Sequence, residues 1–173
     1  MARTRSRRRL RAQRFSRGWQ WRTTDLASVR LTKRRLKAAL FDHVFAIYVL
    51  RIHFDGDPMT KIGIVRAGSL RQRLTTHLSK AHYTNVHVLR IFTLSASSAS
   101  GRYQCDGIVN TTETNIKRAL SRKGMLPPTP WGPNGECETE VVRRCDEGDA
   151  LRWIEHFTSS DATLRAAAKH RLW

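Results

Sequence analysis

Three stretches in the middle of the chain have the hydrophobic pattern of β-strands. They are residues 44–54, 61–65 and 86–94, and all three are rich in β-branched or aromatic residues, which suit a pleated sheet. Residues 55–58 between the first two read Asp-Gly-Asp-Pro and favour a turn. The pattern therefore predicts an α+β protein with a small three-stranded antiparallel sheet flanked by helices, in which the sheet opens with a β-hairpin.

The hairpin brings particular side chains to one face of the sheet. If it folds symmetrically about its central Gly-Asp pair, Tyr48 lies opposite Val65. Side chains alternate between the two faces of a strand, so Tyr48, Lys61 and Gly63 are predicted to share a face. A slip of one residue would separate them.

A helix is predicted after the second strand. Leu70, Leu74 and Leu78 recur every four residues and form an apolar stripe, with Arg73 and His77 near its edge. An arginine beside a core-facing stripe is partly desolvated, which is costly unless an anion meets its guanidinium. The alternative is an arginine that extends into solvent or pairs with a structural carboxylate.

Apolar spacings of three and four predict further helices, at residues 24–41, 106–122, 146–157 and 160–173. Thr32 is a candidate cap within the first, and Leu164 and Ala168 are expected to face inward in the last. Small polar residues at 95–101 predict a loop. Residues 138–144 are predicted to form a short edge strand. The predicted parts are a basic arm (1–23), a helical N-terminal extension (24–43), a main α+β domain (44–157) and a C-terminal helix (158–173).

Charge narrows the choice of partner. The 173 residues include 32 Lys and Arg against 14 Asp and Glu, a net charge of +18. Such an excess implies an anionic partner, of which nucleic acid is the commonest and an anionic membrane surface the next. No apolar run approaches the length of a membrane span. Three cysteines without zinc-type spacing, and no secretory signal, indicate an intracellular protein with reduced thiols.

The arm has many arginines and no acidic residue. Self-repulsion and a lack of apolar surface prevent it from folding alone, so it is expected to lie along phosphates. A nuclear address and an organellar transit peptide are the alternatives. The residues predicted to bind nucleic acid are Arg7, Arg8, Arg9, Arg11, Arg14, Lys33, Arg34 and Arg35.

A glutamate lies at the edge of the third predicted helix stripe. Val109, Ile116 and Leu120 form this stripe, and Glu113 is within a turn's width of it. Glu113 either pairs with Lys117, four residues on, as in many exposed helices, or binds a divalent metal ion.

Taken in order, these motifs resemble the GIY-YIG nuclease superfamily, especially its phage and bacterial branch, in which the second motif reads K-I-G. The matching segments are Ala46-Ile47-Tyr48, Lys61-Ile62-Gly63, Leu70-x-x-Arg73-Leu74-x-x-His77, Glu113-x-x-Ile116-x-x-Ala119-Leu120 and Thr139-Glu140-Val141-Val142. Two departures are visible. Ala46 replaces the first glycine, and Lys61 stands where many members have the second tyrosine.

The resemblance implies an endonuclease that hydrolyses phosphodiester bonds, in DNA rather than RNA. It implies that Glu113 binds Mg²⁺ (or Mn²⁺) and that Arg73 stabilises the phosphate. Tyr48 and Lys61 are then expected to activate the attacking water, and His77 to move a proton or to hydrogen-bond Tyr48.

Several alternatives stay open. The bacterial or phage-infected cytoplasm is the expected setting, with nucleus or organelle as alternatives. Glu140 is a second candidate acid for the site. A GIY-YIG-like structural protein that binds nucleic acid without cutting it would have the same motifs. A protein partner for targeting is also possible, since neither a zinc finger nor a helix-turn-helix is evident.

Overall fold

The computed structural model describes residues 18–38, 41–42, 44–54, 56–66, 68–81, 83–97, 99–124, 141–142 and 147–168. This part of the chain is α+β, with five strands and four α-helices. The strands are β1 (Trp19–Arg30), β2 (Ala46–Phe54), β3 (Asp57–Val65), β4 (Tyr83–Ala96) and β5 (Val141–Val142). The helices are α1 (Leu70–Leu78), α2 (Ala99–Arg122), α3 (Glu147–Phe157) and α4 (Ser160–Ala168), and a short 3-10 turn covers Arg35–Lys37. None of the described helices is both long and apolar enough to cross a membrane.

The sheet is larger than predicted. Its strand order is β1-β4-β2-β3-β5, and all neighbouring strands are antiparallel. The three predicted strands form its centre, so the three-stranded prediction holds for the centre and is wrong for the whole sheet. One edge is β5, which lies within the predicted edge strand at residues 138–144, and the other edge is β1.

The prediction of a helix from residue 24 is wrong for the first part of that segment. Residues 19–30 form β1, so the supposed arm and helical extension contribute an edge strand to the sheet. The register with β4 shifts between Asp25 and Val29, and Ser28 has a φ of 64°. A bulge of this kind breaks the period of two, which left Leu26 and Val29 with a helix-like spacing. Among the described residues of this segment, the helical element is the 3-10 turn, where the Thr32 hydroxyl accepts from the Arg35 amide at 3.2 Å.

The hairpin register differs from the prediction by two residues. Phe54 pairs with Asp57, so the turn is centred one residue earlier than expected and Tyr48 lies opposite Gly63. A shift of two leaves every side chain on its original face. The predicted sharing of one face by Tyr48, Lys61 and Gly63 is therefore confirmed.

Helices cover both faces of the sheet. On one face, α1 and the 3-10 turn bury their apolar residues against Tyr48, Leu50 and Val88. On the other face, α2, α3 and α4 pack against Ile47, Val49 and Phe92. The strand β2 is wholly buried between these layers from Ala46 to Leu50.

The starts of α1 and α2 differ in how well the local sequence indicates them. The start of α1 is a capping box in which the Ser69 side chain accepts from the Gln72 amide and the Gln72 side chain accepts from the Ser69 amide. α2 begins at Ala99, so the predicted loop at 95–101 is wrong at its end. Extending an established helix costs little even through small polar residues.

The last helix has a different inward face from the predicted one. Ala162, Thr163, Ala166 and Ala167 are buried, whereas Ala168 is exposed and Leu164 is partly exposed. The short side chains let α4 approach α2 closely. The indole Nε1 of Trp21 on β1 donates to the Thr163 hydroxyl at 3.0 Å.

Candidate active site

A groove opens at the end of β3. It has a volume of about 660 Å³, within the range of ordinary ligand pockets. The residues that line it are Ile64, Val65, Arg66, Arg73, Asp106, Glu113 and Lys117. Among the described residues, three cationic and two anionic side chains thus surround the space, so the cations outnumber the anions by one.

Arg73 and Glu113 reach this groove from opposite faces of the sheet. Arg73 is on α1 and Glu113 on α2, and the two helices pack on different faces. Both line the groove because it lies where β3 ends, at Ile64 and Val65. Two residues that are forty positions apart in the chain therefore line one cavity.

Glu113 is buried and forms an ion pair. It is 8% exposed, and its Oε1 lies 2.9 Å from the Lys117 ammonium, one helical turn away. The ion pair considered from the sequence is therefore formed. It leaves Glu113 at the groove wall, where a carboxylate has the chemistry to bind a divalent cation.

The groove suits a cation bound by few protein ligands. Among the described residues, no group of three or more histidine, cysteine, aspartate or glutamate side chains is placed to bind one metal ion. Mg²⁺ commonly takes only one or two carboxylates and completes its octahedron with water and substrate phosphate. Glu113, with Asp106 two turns before it on the same wall, fits that mode.

A buried polar cluster lies on the α1 side of the sheet. Tyr48 is 0% exposed and Lys61 and His77 are each 3% exposed. The Tyr48 hydroxyl and His77 Nε2 are hydrogen-bonded at 2.7 Å. The His77 ring also lies against Tyr83, with 5.7 Å between ring centroids. We call Tyr48, Lys61, His77 and Tyr83 the tyrosine–histidine cluster.

His77 is neutral at physiological pH. Burial lowers its pKa to about 3, and the positive charges of Lys61, Arg73 and Lys80 add to the effect. A neutral imidazole has one nitrogen that accepts a hydrogen bond and one that donates. His77 can therefore accept the phenolic proton of Tyr48 in a hydrogen bond. Its Nδ1 has no hydrogen-bond partner among the described residues.

Gly63 makes room for Tyr48. A Cβ atom at this position would overlap the hydroxyl and ring of Tyr48, so only glycine permits this approach. The tyrosine therefore crosses from β2 over β3, and its hydroxyl lies above Gly63. The next two residues of β3, Ile64 and Val65, line the groove. The cluster is thus adjacent to the groove wall.

The five predicted catalytic residues fall into two groups. Arg73 and Glu113 line the groove, while Tyr48, Lys61 and His77 form the buried cluster beside it. The expected partial desolvation of Arg73 is wrong, because this side chain is exposed and His77 takes the buried position on α1.

The predicted nucleic-acid-binding residues are only partly within the structure. Lys33, Arg34 and Arg35 are exposed at the 3-10 turn. The arginines of the arm, Arg7, Arg8, Arg9, Arg11 and Arg14, lie outside the described residues, as does Glu140.

Three residues of the site were missed from the sequence. Arg66 follows β3 directly, and Asp106 is the first residue of the helix predicted at 106–122. The seven-residue spacing of Asp106 and Glu113 was a usable signal, since it places both on one helix face. Tyr83, by contrast, lies in no motif, and only the pairing of β4 with β2 brings it to His77.

Comparisons with protein-family models, curated proteins and solved structures found nothing that matches this chain. The groove and the adjacent cluster are therefore the observations on which a functional inference depends.

Proposed function

We propose that the protein is a metal-dependent endonuclease of the GIY-YIG type, which hydrolyses phosphodiester bonds in DNA. The observation that supports this most is the meeting of Arg73 and Glu113, from opposite faces of the sheet, in one cationic groove. Phosphodiester hydrolysis needs a cationic phosphate site, an activated water and a stabilised leaving oxygen. The groove and cluster offer residues for each requirement.

Phosphate binding is assigned to the arginines. Arg73 is exposed on the groove wall, and its planar guanidinium matches two phosphate oxygens. Arg66 lies beside it at the end of β3 and provides a second charge. Together they would hold the scissile phosphate and offset the charge that develops on it.

Metal binding is assigned to Glu113. When bound there, Mg²⁺ or Mn²⁺ would supply charge neutralisation at the leaving oxygen. Lys117 holds Glu113 at the groove wall through its ion pair, and it also contributes positive charge next to the expected phosphate.

Activation of water is assigned to Tyr48 and Lys61. The Tyr48 hydroxyl lies above Gly63, next to the groove-lining end of β3. Lys61 is on the same sheet face and contributes positive charge to the cluster. Tyr48 would take a proton from the attacking water as its own phenolic proton passes to His77 Nε2, to which it is hydrogen-bonded at 2.7 Å.

Plasmid cleavage tests the proposal. Supercoiled DNA is incubated with the protein and Mg²⁺, Mn²⁺ or EDTA, and nicked and linear products are measured. Arg73→Ala and Glu113→Gln are expected to lower the rate about 100-fold or more, as loss of one charge-stabilising group does elsewhere.

Arg118→Ala is the matched control. Arg118 is exposed on α2 next to Lys117 but does not line the groove, so this variant should cut like the parent. A parental cleavage rate in both Arg73→Ala and Glu113→Gln would contradict the assignment.

A second function is favoured by a separate observation. Tyr48 and Lys61 are almost completely buried, so neither lines the groove. A protein that keeps this fold but only binds nucleic acid would show the same burial. Retarded migration of DNA without cleavage under every metal condition would support this structural role and exclude the nuclease.

A further inference from the structure

Tyr83 contacts three other side chains, although it lies in none of the sequence motifs. It is the first residue of β4 and is 5% exposed. Its ring centroid lies 5.7 Å from the His77 ring, 5.7 Å from the Lys61 ammonium and 5.4 Å from the Lys80 ammonium. One ring therefore contacts both a neutral imidazole and two cations.

The contact between the Tyr83 ring and the Lys61 ammonium lowers the cost of burying that charge. An ammonium group that is 3% exposed loses most of its hydration, which costs free energy unless other groups replace the water. The face of an aromatic ring attracts a cation, and the attraction grows when the pair is desolvated. Tyr83 therefore stabilises the charge of Lys61 inside the protein.

The geometry also fixes where that charge lies. Lys61 is on β3 and Tyr83 on β4, and these strands flank β2. Their contact thus passes over β2 on the α1 face, where His77 is hydrogen-bonded to Tyr48. A single ring that touches Lys61 and His77 sets the position of both relative to the Tyr48 hydroxyl.

We propose that Tyr83 is a positioning residue, which holds the Lys61 ammonium and the His77 imidazole in place beside Tyr48. Its catalytic consequence rests on the proposed nuclease function, whereas the contact itself does not. The ring face is what matters here, so phenylalanine should substitute for tyrosine and leucine should not.

The kinetic test compares Tyr83→Phe with Tyr83→Leu. Tyr83→Phe should keep the parental kcat. Tyr83→Leu should lower kcat about 3- to 30-fold, the range that a partly desolvated cation–π contact corresponds to, with little change in KM. Equal losses in the two variants would place the effect on the hydroxyl and overturn the proposal.

Two further measurements do not need activity. In the NMR spectrum of the parent, the Lys61 side-chain methylenes should be shifted upfield by the Tyr83 ring current, and Tyr83→Phe should retain that shift. The denaturation midpoints of Tyr83→Leu, Lys61→Met and the double variant should be non-additive, since removing either partner removes the same contact.

Arg118→Ala again provides the control. Arg118 is exposed on α2, does not line the groove and lies outside the tyrosine–histidine cluster, so this variant should keep the parental kcat. Unshifted Lys61 methylenes in the parent would overturn the inference without any variant having to fold. A parent that shows the shift and the coupling but cuts no DNA would instead remove the proposed function.

Discussion

At the scale of single residues, the site depends on which side chains are buried. His77 and Arg73 lie one turn apart on α1, yet His77 is 3% exposed and Arg73 is exposed. The buried imidazole is kept neutral by desolvation and by the cations around it. The exposed side chain of Arg73 lines the groove. One helix turn thus separates a buried hydrogen-bond acceptor from the guanidinium that is proposed to bind phosphate.

The neutral state of His77 predicts a pH dependence of stability. Its pKa is about 3 in the folded protein against 6.5 ordinarily, so between these values the unfolded chain binds a proton that the folded chain does not. Stability therefore falls as pH decreases below 6.5, by about 2 kcal/mol between pH 7 and pH 5. His77→Gln should lose this part of the dependence when urea unfolding is measured at both pH values.

Another histidine supplies the comparison for that experiment. His156 is exposed on α3 and lies outside the tyrosine–histidine cluster. His156→Gln should therefore keep the parental difference in stability between pH 7 and pH 5. If His77→Gln keeps the same difference, His77 is not the buried neutral group inferred here.

At the scale of elements, α1 connects the cluster to the groove. Leu70 and Leu74 fix the helix on the sheet, and the same helix carries His77 inward and Arg73 outward. The helix has only nine residues, so its own propensity is too weak to maintain it without packing and caps. The position of Arg73 consequently depends on how well the first turn is held.

The Ser69 cap holds that first turn. The Arg73 amide donates to the Ser69 carbonyl at 3.2 Å, and the Ser69 hydroxyl accepts from the Gln72 amide. Ser69→Ala should lower the free energy of unfolding by about 1 kcal/mol. The measurement is chemical denaturation, with Ser121→Ala as control, because Ser121 is exposed near the end of α2. Equal stability of parent and Ser69→Ala would show that packing alone holds the turn.

At the scale of the whole molecule, the net positive charge is the property that bears on the proposed nucleic-acid partner. The net charge of +18 is spread over the arm, the 3-10 turn and the groove. Attraction of this kind raises the rate of encounter with any polyanion and falls as salt increases. It would add affinity for the proposed nucleic-acid partner with little sequence preference.

The arm should contribute a measurable share of the salt dependence. Each phosphate contact adds about 0.9 to the slope of log K against log salt for duplex DNA. Replacing Arg7, Arg8, Arg9, Arg11 and Arg14 by Gln should therefore reduce the slope by up to about 4.5. Fluorescence anisotropy with a labelled duplex at several salt concentrations measures this slope.

The basic residues of the 3-10 turn are tested in the same way. Replacing Lys33, Arg34 and Arg35 by Gln should reduce the slope of log K against log salt by up to about 3. Unchanged slopes would place the phosphate contacts elsewhere.

Local pattern was enough for the elements that the chain specifies by itself. The strand β2 and the helices α1 and α3 were predicted close to their observed bounds, whereas β3 begins four residues and β4 three residues before the predicted start. In each, apolar residues recur with the period of the structure they form. The shared face of Tyr48, Lys61 and Gly63 also followed from the sequence, because alternation survives a register shift of two.

Only the tertiary structure decided the rest, because it depends on contacts between distant residues. The edge strand β1 exists through its pairing with β4, and its bulge hides the strand period. The groove exists because α1 and α2, on opposite faces, both reach the end of β3. Tyr83 joins the cluster only because β4 pairs with β2. Periodicity along a chain shows which face a side chain occupies, but which distant side chain it meets is set by how the layers pack.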